Sequence, residues 1–230
     1  MMSQTTTGIQ TFRIVVFGLT FGMLVFQCVT DEWTHLGGPF RHLTIWGLTA
    51  STLSAWFMLQ LSMGWSSVRR EVFASVTVVL NLTVLLMYWK IYFEDPSLFY
   101  GADGAPAPWY EEYFLHGLGP AMQIFDALFL LGVFTRMKAV TAWVIALPVL
   151  YLSWIEFVIR PLNSDPVGSV TAGLPYLFLN NLDVAGRAMF YLTTTLTMLV
   201  LMLLAWGFAA LIRRVRPSSP EDARSAPTVP

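Results

Sequence analysis

The stretch AMFYLTTTLTMLVLMLLAWGFAALI, residues 188–212, holds no charged side chain, and Arg213 and Arg214 follow it at once. Crossing the hydrocarbon of a bilayer takes about 20 mostly apolar residues as a helix, and this stretch exceeds that length. Working back along the chain, five more uncharged or nearly uncharged stretches appear: Ile14–Val29, Leu43–Met63, Val72–Trp89, Tyr113–Phe134 and Ala139–Ile159. The first is the shortest, and Gly8–Phe12 can extend it. Backbone amides and carbonyls in lipid must find partners within their own segment, so such stretches are helices. The reading is all-α: a polytopic membrane protein built as a bundle of six transmembrane helices over residues 1–212.

Composition agrees. Apolar residues make up 56% of the 230-residue chain and charged residues 12%. A soluble domain carries roughly twice that share of charge. This chain cannot cover a globule with ionic surface, which excludes a soluble enzyme or a disordered regulator. The net charge of −1 supplies no general field for phosphates, so nucleic acid is not an expected partner. The one cysteine, Cys28, makes neither an internal disulfide nor a zinc cluster. It reads as a small buried residue.

The charges between stretches set orientation. Arg69 and Arg70 lie between spans two and three, Arg136 and Lys138 between four and five, and Arg213, Arg214, Arg216 and Arg224 after six. The other loops, 31–41, 94–112 and 160–186, are acidic. Lys and Arg concentrate on the cytoplasmic side, so both termini are expected there and the acidic loops on the outer side. No small-x-small cleavage site follows the first stretch, which argues for a retained span. Residues 213–230, rich in Pro, Ser and Ala, read as a disordered cytoplasmic tail. Gly101–Pro108 reads as an irregular surface turn. No internal repeat supports a transporter of duplicated halves. Small size and short loops point to a bacterial inner membrane.

Ionisable and polar groups inside a bilayer are costly and call for reasons. Counting rise per residue puts Thr44, Lys90, His116 and Glu156, from four different spans, at similar shallow depth on the outer side. His116 can change charge near neutral pH. It either snorkels to the interface, bonding a carbonyl, or belongs to a site. Gly117 and Gly119 give its ring room, Pro120 frees backbone carbonyls, and Gln123 lies seven residues on along the same face. Thr44 either bonds its own i−4 carbonyl, as threonines in membrane helices do, or faces an outer cavity behind the turn Gly37-Gly38-Pro39. Asp126 and Asn81 fall at a common mid-bilayer depth and read as an interhelical hydrogen bond rather than a proton relay. Glu156 and Arg160, at i,i+4, read as an ion pair. Lys90 snorkels outward.

There is no nucleophile elbow, zincin motif or phosphate loop. His35, His42 and His116 offer a haem little beyond their number, and no thiol or carboxylate cluster completes a metal site. No metal and no cofactor is expected.

The string Gly37-Gly38-Pro39-Phe40-Arg41-His42-Leu43-Thr44 resembles the Gly-Gly-x-aromatic-basic-x-Leu-Thr opening of the androgen-induced membrane hydrolase family. That family includes the androgen-dependent regulator of tissue-factor-pathway inhibitor and bacterial integral-membrane relatives. Phe114-Leu115-His116-Gly117-Leu118-Gly119-Pro120, followed by Asp126, is similar to the bacterial relatives' His-x-x-x-Pro then Asp. Leu174-Pro175-Tyr176-Leu177-Phe178-Leu179 resembles their Tyr-Pro-x-Pro-Phe-Leu, without the opening Tyr-Pro. Trp46-Gly47 also departs from the family's usual run. The resemblance covers most of residues 8–212.

It implies hydrolysis of lipid esters, notably fatty acid esters of hydroxy fatty acids, with a threonine nucleophile and a histidine base that map onto Thr44 and His116. On that reading His116 accepts the Thr44 proton. Backbone amides near Gly117 or Gly119, or the Lys90 ammonium, would steady the oxyanion, and Glu156 would orient His116. The expected partners are a lipid ester substrate and membrane lipids. The rival readings are a non-enzymatic lipid-binding or assembly protein whose polar layer packs helices, and, behind it, a small transporter or a haem-bearing electron carrier. Oligomeric state is open.

Overall fold

A computed structural model describes residues 2–31, 33–100 and 107–215. Among the described residues there are six long helices. They are α1 (Met2–Thr30), α2 (Leu43–Ser62), α3 (Glu71–Glu94), α4 (Trp109–Leu131), α5 (Met137–Leu162) and α6 (Val184–Val215). No strand occurs among the described residues; an isolated bridge pairs Val167 with Ala172. Five helices are long and apolar enough to cross a membrane: α1 over Thr7–Thr30, α3, α4, α5 and α6.

The helix α2 is not among those five, although it has 20 residues. Thr44, Thr49, Ser51, Thr52 and Ser54 dilute its apolar character, and its place explains why that is tolerated. It is wedged between α1, α3 and α4. Ile45, Leu48, Ser51, Thr52, Ser54, Ala55, Met58 and Leu59 are all buried. A helix shielded by neighbours need not be apolar all round. By contrast α5 and α6 leave Val149, Leu150, Phe157, Leu203 and Leu204 more than half exposed, an apolar outer face fit for lipid.

The helices also run past the apolar stretches. The α6 helix continues to Val215, so the tail does not begin at 213; residues 216–230 lie outside the described part. Most of the turn expected at Gly101–Pro108 also lies outside it. The α4 helix begins at Trp109, four residues before the apolar stretch, and takes Glu111 and Glu112 out of the loop and into its first turn.

At one end of the bundle α1, α3 and α5 finish and α2, α4 and α6 begin. Gln27 near the end of α1 donates to Glu111 at the start of α4 (2.8 Å), and Arg187 of α6 meets Glu156 of α5 (2.9 Å). At the opposite end Gln10 donates to the Ser62 carbonyl (2.8 Å), and Arg213 to the Val133 carbonyl (2.8 Å). The main apolar core lies toward this second end, around Val78, Val79, Ala127, Val140, Val144 and Met202.

The segment between α5 and α6 folds over the first end and is tied down by Asn180, which is fully buried. Its amide donates to the carbonyls of Leu174 (2.9 Å) and Pro166 (3.1 Å), and its side-chain oxygen accepts from Leu174 N (3.2 Å). Tyr176, Phe178 and Leu179 are thereby held over the helix ends.

Candidate functional site

The site is assembled at that first end. Gly37 and Gly38 turn the chain into α2 with φ of 88° and 46°. A side chain at Gly37 would strike Ile159 Cδ1 at 2.7 Å, so only glycine makes this left-handed turn against α5. The turn places the Phe40 carbonyl under two indoles: Trp46 Nε1 donates to it at 2.9 Å and Trp154 Nε1 at 3.1 Å. That carbonyl is the i−4 partner Thr44 would otherwise use. Thr49 and Thr52, further along α2, do bond their i−4 carbonyls (2.7 and 2.9 Å). The Thr44 hydroxyl instead lies 3.2 Å from His116 Nε2.

His116 reaches that position because α4 is not a regular helix there. Residues Phe114–Leu118 form a π-helical turn, and His116 has φ −113°, ψ 20°, outside helical values. Pro120 has no N–H to return to the His116 carbonyl. Trp89 Nε1 takes that carbonyl at 2.6 Å. The imidazole is stacked on the Tyr88 ring, centroids 3.5 Å apart and planes within 3°. It is 7% exposed, and packing fixes it in one orientation. Gly119 is needed for this turn: a methyl there would sit 3.0 Å from the Phe114 carbonyl.

On the far side of the ring, His116 Nδ1 lies 3.1 Å from Glu112 Oε2, one helical turn back, with both side chains nearly buried. The approach is short but lacks the alignment of a hydrogen bond. A carboxylate at Nδ1 favours the tautomer protonated there, which leaves Nε2 as an acceptor facing Thr44. Glu112, His116 and Thr44 thus form a row of carboxylate, imidazole and hydroxyl. Sequence reasoning missed Glu112 because it assigned that residue to the acidic loop. The signal was a glutamate four residues before the histidine, which is the spacing of one helix face.

Thr44 faces an apolar cavity of about 110 Å³ between α2, α3, α5, α6 and the Asn180-pinned segment, with Tyr88, Ile155, Tyr176, Phe178 and Tyr191 on its walls. The Tyr176 hydroxyl accepts from Leu43 N at 2.9 Å, and Tyr176 lines the cavity together with Thr44. Burial raises the Tyr176 phenol above its ordinary pKa, so it stays protonated and able to donate. His42, just before α2, accepts from Arg41 Nε at 3.2 Å. Burial and then the Arg41 charge lower its pKa to about 3, so it is neutral at ordinary pH.

The other expected residues fall elsewhere. Lys90 is exposed and bonded to Glu94 through both carboxylate oxygens (2.8 Å each), away from Thr44; four flexible methylenes let the ammonium leave the helix for its partner. Glu156 does not orient His116. It pairs with Arg160 (2.9 Å) as expected, and also with Arg187 (2.9 Å) and the Tyr191 hydroxyl (2.8 Å). Two nearby arginine charges take up this carboxylate instead. The Gly119 amide is spent on the Phe114 carbonyl, so it is no oxyanion donor; Gly117 has open space at its α-carbon.

Asn81 and Asp126 do not bond each other. Asn81 donates to Ser51 Oγ (2.8 Å) and Gln123 Oε1 (3.1 Å). Asp126 takes the Arg13 guanidinium in three contacts of 2.8–3.1 Å, both side chains 5% exposed or less. An opposite charge outweighs an amide dipole. Arg13 lies one residue before the apolar stretch Ile14–Val29 and inside α1, which places it within the bundle. Among the described residues no three His, Cys, Asp or Glu side chains cluster as metal ligands.

Comparison with protein-family models, curated proteins and solved structures finds no match for this chain.

Proposed function

We propose that the protein is a membrane-embedded hydrolase of lipid esters, with Thr44 as nucleophile and His116 as base. The observation that carries the proposal is the 3.2 Å contact between Thr44 Oγ1 and His116 Nε2, with Thr44 on the wall of an apolar cavity. A threonine hydroxyl is a poor nucleophile until a base takes its proton, and at this distance the imidazole can do so. Glu112 holds the ring in the productive tautomer and steadies its charge once protonated.

The chemistry follows in two halves. Thr44 Oγ attacks the ester carbonyl while His116 accepts its proton. His116 then protonates the departing alcohol, and an acyl-threonine remains. Water, deprotonated by His116, attacks that ester and returns Thr44 its proton. The Tyr176 hydroxyl, anchored on the Leu43 amide, is the donor best placed for the oxyanion; it replaces Lys90 in that role. The apolar walls suit an acyl chain, which favours a lipid over a polar ester. The resemblance to membrane threonine hydrolases narrows the substrate to fatty acid esters of hydroxy fatty acids or similar molecules.

The same reading takes α2 as a sixth span, gives both termini to the cytoplasm, and puts the site near the outer leaflet of a bacterial inner membrane. It is supported by Arg69, Arg70, Arg136, Lys138, Arg213 and Arg214, which all lie at the end away from Thr44.

The test is hydrolysis of long-chain esters by purified protein in detergent or nanodiscs, alongside covalent labelling with a fluorophosphonate. Thr44→Ala is expected to abolish labelling, and both Thr44→Ala and His116→Ala to lower kcat/KM by about 10³-fold or more. Full activity in folded Thr44→Ala and His116→Ala would leave a lipid-binding protein as the better reading.

A further inference from the structure

Behind Thr44, on the side away from the apolar cavity, the packing of α2, α3 and α4 leaves a second void of about 10 Å³. That is roughly the space of one water-sized probe, and a buried water also requires polar partners. The void supplies them: it is lined by Thr44, Ser51 and Asn81, with Phe114, Gly119 and Pro120 closing the α4 side. Thr44 and Val84 are the residues common to both spaces.

Ser51 is the telling residue. It is 2% exposed, and its Oγ accepts from Asn81 Nδ2 at 2.8 Å. Thr49 and Thr52, its neighbours on α2, give their protons to their own i−4 carbonyls. No such bond forms for Ser51, so its proton is available to the void. Asn81 is itself fixed, donating also to Gln123. This is a built polar site with a fixed hydroxyl, touching the proposed nucleophile.

We propose that this void binds the water that hydrolyses the acyl-threonine. The inference rests on the hydrolase reading and adds to it the source of the second reactant. The apolar cavity receives the acyl chain, which would exclude water from that side of Thr44. Water held by Ser51 beside Thr44 adds to the acyl carbon over one face of the ester plane. His116 Nε2, 3.2 Å from Thr44 Oγ1, accepts a proton from it. The water oxygen bonds to the acyl carbon, the bond from that carbon to Thr44 Oγ breaks, and the proton passes from His116 to Oγ. The products are a free fatty acid and the original hydroxyl.

The site predicts a separation of the two halves of the reaction. Ser51→Thr keeps a hydroxyl for Asn81 while its added methyl occupies the void; Ser51→Val fills the void and removes the hydroxyl. Both leave the approach from the apolar cavity untouched. Each is assayed for fluorophosphonate labelling rate, which reads attack by Thr44, and for burst and steady-state release from an activated long-chain ester.

The expected result is labelling and burst close to the parent, with steady-state turnover slowed on the order of tenfold or more and an acyl-protein adduct at Thr44 by mass spectrometry. Ser51→Thr keeps the test open if Ser51→Val does not fold. Parental turnover in folded Ser51→Thr or Ser51→Val, or loss of labelling and turnover together, overturns the water site while leaving the hydrolase reading in place. A parent protein that neither labels nor hydrolyses the ester overturns both.

Discussion

Two polar layers cross this bundle, and they differ in how completely they are satisfied. The layer nearer the basic end is closed. Arg13 makes three contacts to Asp126 and a fourth to the Met58 carbonyl (2.9 Å), and Gln123 links Asn81 to Ser54 and the Ala74 carbonyl. The layer at the other end sets its groups in a row, with Thr44 3.2 Å from His116 and His116 3.1 Å from Glu112. Thr44 is kept from its i−4 carbonyl, His116 sits off helical geometry, and Glu112 approaches Nδ1 without a well-aligned bond. Polar groups in a membrane helix therefore do not by themselves mark a site. Those with every bond filled hold helices together, and those diverted from their default partners are available for chemistry.

The sharpest way to break that division is at Asp126. Removing one partner of a buried ion pair strands the other charge, at about 3–5 kcal/mol. Asp126→Ala is expected to lose stability on that scale in detergent denaturation, and the double variant Arg13→Met with Asp126→Leu to recover much of it. The folded fraction should hydrolyse esters like the parent. An Asp126→Ala protein of normal stability and no activity would place chemistry in the wrong layer.

Glu112 tests the other side of the comparison. Glu112→Gln keeps size and burial but removes the charge that favours the Nδ1 proton and steadies the imidazolium. General base catalysis of this kind is worth about 10²–10⁴-fold, and a loss near the lower end, about 10²-fold in kcat, is expected with KM and thermal stability little changed. Equal falls in stability and activity would make Glu112 a packing residue.

A smaller effect belongs to pH. His42 has its folded pKa lowered from 6.5 to about 3. The unfolded chain therefore binds its proton first, so the stability it contributes is whole above pH 6.5 and declines as pH falls from 6.5 toward 3. By pH 5 the loss should be on the order of 1–2 kcal/mol. His42→Gln has no proton to gain in that window. Melting temperatures at pH 7 and pH 5 should therefore drop less for the variant than for the parent; equal drops would mean His42 is not held neutral.

The helical character and most spans were legible because hydrophobic runs long enough for a bilayer leave little choice of fold. The pairing of Thr44 with His116 was legible as shared depth, since α-helical rise converts residue number into height. Partners across helices were not legible, because rotation about each helix axis is set by packing. Asn81 and Asp126 sit at usable heights but face Gln123 and Arg13 respectively. Glu112 and Arg13 each lie one residue before an apolar stretch, at Tyr113 and Ile14, and the helices run on past both boundaries to Trp109 and Met2. The π turn at His116 could not be read either, although Gly117, Gly119 and Pro120 supplied its ingredients.

Lys90 gives the smallest expected effect, and a direct choice between height and facing. By height alone it belongs with Thr44 and His116, and an ammonium there would be a strong oxyanion donor. In the fold its side chain leaves the bundle for Glu94, both more than half exposed. Exposed i,i+4 pairs contribute about 0.3–0.5 kcal/mol, so Lys90→Ala should leave stability and kcat/KM at parental values. Tyr176→Phe should lower kcat, because it removes the hydroxyl next to Thr44. The reverse pattern, an inert Tyr176→Phe and a disabled Lys90→Ala, would mean that the bound substrate draws Lys90 inward and that the oxyanion is held from α3 rather than from the segment over the helix ends.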